Sequence, residues 1–434
     1  MKSEINICWL RRDLRLEDNA ALYEALRSPF PVLLVFIFDK NILGKLADKK
    51  DARVTFIRQT LYQLNTSLQK SGSSILVRYG LPEEVWPEVL SNYNVKSVYT
   101  NHDYEPYARE RDDALAEYLR SEQIGFRTFK DQVIFEKNEI TKADGKPYTV
   151  FTPYFRQWQQ KLNDFYVKAY PVEKYAANFF PLAPQEIPSL SEMGFESSDL
   201  NFPDKDFSSK LNLYEDKRDF PAEDATTYLG VHLRFGTLSI REAAREALAQ
   251  KAEKWLSELA WRDFYMMILW HFPHTVSQSF KPAYDLIKWR NDESEFEAWC
   301  QGNTGYPIVD AGMRQLNATG YMHNRVRMVV ASFLTKHLLI DWRWGEAYFA
   351  EKLLDYEMAS NIGGWQWACG SGNDAAPYFR IFNPELQTKK FDPEFKYIDR
   401  WIPAYKQQKH VKPIVEHAFA RERVLKVFKE ALNE

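Results

Sequence analysis

The chain reads as an α/β protein, with a Rossmann-like parallel-sheet domain at its N-terminus and an all-helical domain after it. Three observations predict this. Short apolar strands alternate with amphipathic helices through the first third. Strand patterns vanish after residue 220, where one helical periodicity follows another. And 434 residues exceed the size at which a single hydrophobic core keeps growing, so the chain divides.

The runs INICWL (5–10), PVLLVFIF (31–38), SILVRY (74–79) and VKSVYT (95–100) are largely continuous apolar segments, the pattern of strands buried on both faces. Helical periodicity at 51–70, 82–92 and 106–123 falls between or after them, which predicts helical crossovers and a parallel sheet of right-handed connection. The turn after the first strand, RRDLRLEDN, has no glycine, so this domain does not hold a dinucleotide through a Gly-rich loop. From about 130 to 210 the periodicity weakens, and PVEKYAANFFPLAPQEIPSLSEMGF collects prolines and serines; residues 131–205 read as an extended surface linker between domains spanning 1–130 and 206–434. In the second domain Ser239 and Glu242 form a capping box opening SIREAAREALAQKAEKW. Further helices are expected at 255–270, 307–318, 322–340 and 345–354.

Composition excludes several classes. No apolar run is long enough to span a bilayer, and MKSEINICWLRR lacks the apolar stretch of a signal peptide, so a cytosolic (cytoplasmic) protein without a membrane partner is expected. Cys8, Cys300 and Cys369 lie far apart with no CxxC pair, which predicts structural cysteines and no metal site. The formal charge is -3, yet residues 321–434 hold 17 Lys+Arg against 14 Asp+Glu; so small an excess is the ordinary state of a solvated surface and does not by itself indicate DNA.

Four stretches carry residues with chemical potential. In WLSELAWRDFY, Trp255, Glu258, Trp261 and Arg262 share one helical face, either as a half-exposed face with a Glu258–Arg262 pair or as a site. In MHNRVRMVVASF, Asn324, Arg327 and Met328 point towards one space, which is a site or a core with a satisfied amide. DATTYLGVHLRFG places Thr226 and Thr227 where a helix should begin, to cap it or to hold a phosphate. Finally, NIGGWQWACGSGNDAAPYFRIFNP sets two tryptophans beside a glycine pair.

These stretches, and above all the run TGYPIVDAGMRQLNATGYMHNRVRMVVASFLTKHLLIDWRWGE followed by LLDYEMASNIGGWQWACGSGNDAAPYFRIFNP, resemble the photolyase and cryptochrome family over nearly the whole chain, and most of all the class I cyclobutane pyrimidine dimer photolyases. The resemblance implies that the 1–130 domain is of the antenna type and that the helical domain buries FAD and admits a pyrimidine dimer from UV-damaged DNA. Enzymes that act on a base within DNA, photolyases among them, take it out of the stack. Family positions for flavin contact fall on Tyr214, Thr226, Thr227, Leu229, Trp255, Arg262, Asn324, Arg327, Asp355, Glu357 and Asn361. Asn361 would face the redox-active nitrogen of the flavin, and Arg327, paired with Asp355, would supply compensating positive charge.

Dimer positions map to Glu258, Trp261, Asn324, Met328 and Trp367, and backbone phosphates to Arg325 and Arg380. Residues two apart point about 200° apart on a helix. A helical Trp365-Gln366-Trp367 would therefore serve two compartments, Trp365 beginning an electron relay through Trp342 to Trp289 and Trp367 lining the dimer pocket. Gly363 and Gly364 would let bulky rings approach the cofactor.

Two departures from the family pattern stand out. The phosphate-binding segment, usually Thr-Ser-x-Leu-Ser-Pro, is here Thr226-Thr227-Tyr228-Leu229-Gly230-Val231, one hydroxyl poorer. Folate-binding relatives carry an Asn-Glu pair where this chain has Tyr107 and Ala108, which argues against a methenyltetrahydrofolate antenna and leaves a deazaflavin, a flavin or none. The expectation is a monomeric light-driven DNA repair enzyme. The competing readings are a cryptochrome-like photoreceptor without repair and a (6-4) photolyase, whose relatives place histidines at Asn324 and Met328.

Overall fold

The computed structural model describes residues 3–407 and 412–432. Its chain divides into two compact units, one of residues 1–136, 159–205 and 229–251, the other of residues 137–158, 206–228 and 252–434.

The first unit is built on a five-stranded sheet of β1 (Glu4–Leu10), β2 (Val32–Asp39), β3 (Ile75–Gly80), β4 (Asn94–Asn101) and β5 (Gly125–Phe129), in the order β3-β2-β1-β4-β5. Every pairing is parallel, with Cys8 of β1 opposite Leu34 and Tyr99. Strands β1 and β2 are buried almost end to end, as their continuous apolar sequences require. Strand β5 was invisible to the sequence reading, because GFRTF at the sheet edge is mostly exposed and carries no apolar run. The helices Ala52–Gln69, Pro82–Asn92 and Pro106–Ser121 match the periodicities at 51–70, 82–92 and 106–123.

The expected cut at 205/206 differs from the observed grouping in two places. Residues 229–251 belong with the sheet, held there by a buried charge cluster: Arg241 reaches Asp18 Oδ1 and Asp131 Oδ1, both at 2.8 Å, Arg15 pairs with Asp131 at 2.6 Å, and Ser239 Oγ donates to Asp18 Oδ2 at 2.7 Å. Conversely, the stretch read as linker contains the helix Phe151–Lys161, whose aromatic face buries Phe151, Tyr154 and Trp158 in the helical unit. SIREAAREALAQKAEKW is also two helices, Ile240–Ala249 and Glu253–His271, separated where Lys251 takes a φ of 55°. Ser239 does cap the first, accepting from Arg241 N.

The helical unit is organised around the helix Met358–Cys369, which packs against Glu253–His271, Asn324–Ser332 and Trp342–Lys352. Asn324–Ser332 passes into a single π-helical turn, Phe333–His337, so the expected helix at 322–340 starts later and changes its pitch; all five residues of the turn are buried. The helix expected at 345–354 begins instead at Trp342, capped by Asp341, whose carboxylate accepts from Arg343 N. The core here joins Trp299, Trp342, Phe349 and Trp365, with Trp289 partly buried against it.

Candidate cofactor and substrate site

The helix Met358–Cys369 shows why two bulky indoles stand beside two glycines. Its buried side carries Ile362, Trp365, Ala368 and Cys369. Asn361, Gly364 and Trp367, at i, i+3 and i+6, share another side, which is half-buried or exposed. Trp365 is only 2% exposed, meeting Phe349 edge-on at 5.0 Å and Trp299 at 6.1 Å between ring centroids. Trp367 lies on the open side, 6.5 Å from Phe382. A side chain added at Gly364 would meet nothing within 4 Å, whereas one added at Gly363 would run into the Tyr265 ring. The expectation for the glycine pair thus needs correcting in one half: Gly363 makes room for a protein ring, and Gly364 alone leaves backbone bare towards open space.

Two guanidinium–carboxylate pairs flank this helix. Arg327 donates to both oxygens of Asp355, at 3.1 and 2.9 Å, and its Nε donates to the Met322 carbonyl at 2.7 Å. Arg262 pairs with the buried Glu357 at 3.3 Å, so the alternative intrahelical Glu258–Arg262 pair is not formed. Glu258 instead pairs with Arg218 at 2.5 Å. Burial pushes the Glu258 carboxyl above the usual range, with Arg218 pulling the other way. The Asn361 amide is oriented by a group the sequence reading missed: its Nδ2 donates to Glu346 Oε1 at 2.9 Å and to the Glu346 carbonyl at 3.1 Å, leaving Oδ1 to accept elsewhere. Burial raises the Glu346 carboxyl also.

Thr226 and Thr227 do not cap a helix. The helix begins at Gly230 with the buried Leu229 as its N-cap residue, and no side chain caps it. Thr226 Oγ1 lies 3.2 Å from the Tyr321 hydroxyl, and Thr227 Oγ1 accepts from the Trp255 indole at 3.3 Å, while Phe207 stacks on Trp255 at 5.4 Å. Tyr214 is half-buried, its phenol pushed well above the usual range by burial. Two hydroxyls, an oriented amide, two arginines with their carboxylates and an open helix face form a donor set that suits a molecule with both phosphates and an aromatic heterocycle, so the residues fit FAD. Leu229 groups with the sheet-bearing unit rather than with the others.

The residues expected to meet the dimer sit on Met358–Cys369 itself and on two of the helices packed around it, Glu253–His271 and Asn324–Ser332. Trp261 is clamped by Phe151, stacked at 3.6 Å and 8°, and by Tyr265 at 5.4 Å. Phe151 was missed because its segment read as linker. Asn324 is exposed at the start of its helix and Met328 half-buried one turn on. Of the two expected phosphate ligands, Arg380 is exposed, 5.9 Å from the Phe382 ring, but Arg325 is engaged by Asp219 at 2.8 Å and lies 4.4 Å over Phe391. No sequence signal marks Asp219 or Arg218, because each meets its partner through tertiary contact alone.

Trp342 is buried with Arg343 4.7 Å above its ring, and Trp289 meets Phe428 at 5.9 Å. In the sheet-bearing unit, Tyr107 donates its hydroxyl to Asp39 Oδ2 at 2.7 Å, and Ala108 is buried. No cluster of metal-ligating side chains occurs among the described residues, and no helix among them is long and apolar enough to cross a membrane.

Comparison with known proteins supplies a family. Residues 6–174 match the model of DNA photolyase, and residues 255–423 that of the FAD binding domain of DNA photolyase. The deoxyribodipyrimidine photo-lyase of Halobacterium salinarum is 36% identical, covering 99% of this chain and 100% of that one. A bacterial class III photolyase from Agrobacterium tumefaciens superposes with a TM-score of 0.88 at 34% identity, over 100% of this chain and 99% of that one. An archaeal photolyase from Sulfolobus tokodaii, solved with two FAD molecules, gives a TM-score of 0.83 at 33% identity, over 98% and 100%.

Proposed function

The chain belongs to the DNA photolyase family, and from that premise we propose that it repairs cyclobutane pyrimidine dimers in DNA under light. It is an enzyme of the deoxyribodipyrimidine photo-lyase kind, and it carries the family's FAD-binding domain. Held by Thr226, Thr227, Arg262, Arg327 and Asn361, FAD would supply one-electron chemistry: reduced and photoexcited, it would donate an electron to the dimer and take it back once the cyclobutane ring has opened, with no net redox change.

The observation that carries the proposal is the open side of the helix Met358–Cys369, where an oriented amide, a bare glycine and an indole line up at Asn361, Gly364 and Trp367, with a second indole, Trp365, buried behind them. Glu346 fixes which end of the Asn361 amide is free to accept. Arg327 and Arg262 bring positive charge whose paired carboxylates keep it in place. For the substrate, Trp261 and Trp367 offer aromatic faces to extruded bases, and Glu258 and Asn324 offer polar contacts to their edges. Arg380 holds a backbone phosphate, a sequence-independent and salt-sensitive term. Trp365, Trp342 and Trp289 carry electrons from the surface when the flavin needs reducing. The enzyme works as a cytoplasmic monomer.

The test uses a thymine-dimer oligonucleotide with the reduced, FAD-containing enzyme. Dimer loss under blue light and none in darkness is expected. Repair confined to (6-4) lesions, or none at all with full FAD content, refutes the reading in favour of the other two.

A further inference from the structure

We propose that Lys336 is a positioning residue for DNA binding: its buried ammonium ties down the backbone of Arg380 so that the guanidinium is presented to a phosphate. The inference rests on the reading of Arg380 as a phosphate ligand given above.

Lys336 lies in the π-helical turn Phe333–His337 and is 1% exposed. Its Nζ donates to the Arg380 carbonyl at 2.9 Å. The Arg380 amide donates to the Pro377 carbonyl, also at 2.9 Å, so both backbone groups of this residue are held while its side chain reaches into solvent. The loop that bears Arg380 is secured on either side of it by Tyr378, stacked on Phe428 at 6.0 Å between ring centroids, and by Ile381 and Phe382 packed on the core, and near its two ends by hydrogen bonds. Asn373 Nδ2 donates to the Thr149 carbonyl and Asp374 accepts from Phe151 N at one end, and Asn383 caps the helix Pro384–Phe391 at the other. Between them Lys336 adds the side-chain hydrogen bond to the Arg380 carbonyl itself.

The chemistry is costly for a merely structural role. An ammonium withdrawn from water is expensive unless paired. Among the described residues no carboxylate lies within ion-pair distance of Lys336. A methionine would fill the same space without that cost. Accordingly, burial pulls the lysine down to about 8. The groups facing this region are Cys369, pushed up to about 12, Arg380 itself, and His337, which is pulled down to about 3 and faces His417 and Arg423. Lys336 therefore loses its charge as pH rises through its own lowered value.

The experiment measures the affinity of the FAD-containing enzyme for a thymine-dimer oligonucleotide in parent, Lys336→Met, Arg380→Ala and the double variant. Melting temperature and repair rate at saturating substrate are recorded for each. Lys336→Met should weaken binding about five- to tenfold, or about 1.0–1.4 kcal/mol. It should leave the saturated repair rate near that of the parent and keep or raise the melting temperature. The double variant should bind no worse than Arg380→Ala alone, because Lys336 acts through Arg380. Between pH 7 and 9 the parent should lose affinity relative to Lys336→Met. Parent-like binding by Lys336→Met, or losses that add fully in the double variant, overturns the proposal while leaving Arg380 a phosphate ligand. Loss of fold and FAD by both Lys336→Met and Lys336→Gln makes the lysine a folding element and also overturns it. A silent Arg380→Ala removes the phosphate reading itself, and the positioning role with it.

Discussion

Gly345→Ala tests the placement of Trp365 by disturbing it from behind. Gly345 is buried in the helix Trp342–Lys352, and a methyl built there would lie 2.6 Å from Leu334 Cδ2 and closer still to the Trp365 ring. Ordinary van der Waals contact starts near 3.4 Å, so something must move by roughly 1 Å in a close-packed core. Overpacking of this kind costs about 1–3 kcal/mol, and replacing glycine by alanine within a helix returns somewhat under 1 kcal/mol. The indole is rigid, which puts the cost towards the upper part of that range and the net loss at about 1–2 kcal/mol. For a unit of this size that corresponds to roughly 2–4 °C in melting temperature per kcal/mol. If Trp365 starts the electron relay, moving its ring should also slow photoreduction of oxidised FAD several-fold.

The assays are thermal melting followed by flavin fluorescence, and photoreduction by an external thiol donor under blue light. Gly364→Ala is the contrast, since its methyl would meet nothing within 4 Å. It should stabilise the flavin-free chain by about 0.5–1 kcal/mol through helix propensity while weakening FAD retention, because the added group enters the open space. Parent-like melting and photoreduction in Gly345→Ala would refute the packing of the Trp365 ring against Gly345. Unchanged FAD retention in Gly364→Ala would refute the open side of the helix as the cofactor face.

Three further outcomes are expected. Trp365→Phe should abolish efficient photoreduction yet repair dimers almost normally once the flavin is chemically reduced, whereas Trp367→Phe should weaken dimer binding more than photoreduction; paired measurements on both variants decide between these roles. Glu258→Gln should raise the dissociation constant for a dimer oligonucleotide by about three- to tenfold, on the order of 1 kcal/mol. Because burial raises the Glu258 carboxyl in the fold, the parent loses stability as pH rises through that raised value, so the Gln variant should melt at the same temperature or higher at pH 7. His323 caps the helix Asn324–Ser332 by accepting from Arg325 N, and burial pulls its imidazole down to about 4. Its neutral form is favoured by folding, so stability falls as pH drops from 6.5 towards 4, by up to about 3 kcal/mol, and His323→Asn should keep the cap and flatten that loss in an acid melting series.

Much of this protein was legible in order along the chain. Continuous apolar runs announced β1 to β4, and 3.6-residue periodicity announced the helices between them, because those signals come from burial of each element on its own. The spacing of Trp365 and Trp367 likewise sent the two indoles to different sides once the segment was helical. What the sequence could not provide were relations fixed by packing between distant segments. The edge strand β5 is polar and is specified by the neighbour it pairs with; residues 229–251 join the sheet through Arg241 meeting Asp18 and Asp131. In the site, Glu346 at Asn361, Arg218 at Glu258, Asp219 at Arg325 and Phe151 on Trp261 are each pairs of ordinary residues far apart in sequence. A charge or an aromatic ring chooses its partner by distance in the folded core, where desolvation makes an unpaired group costly, and no local pattern encodes that choice.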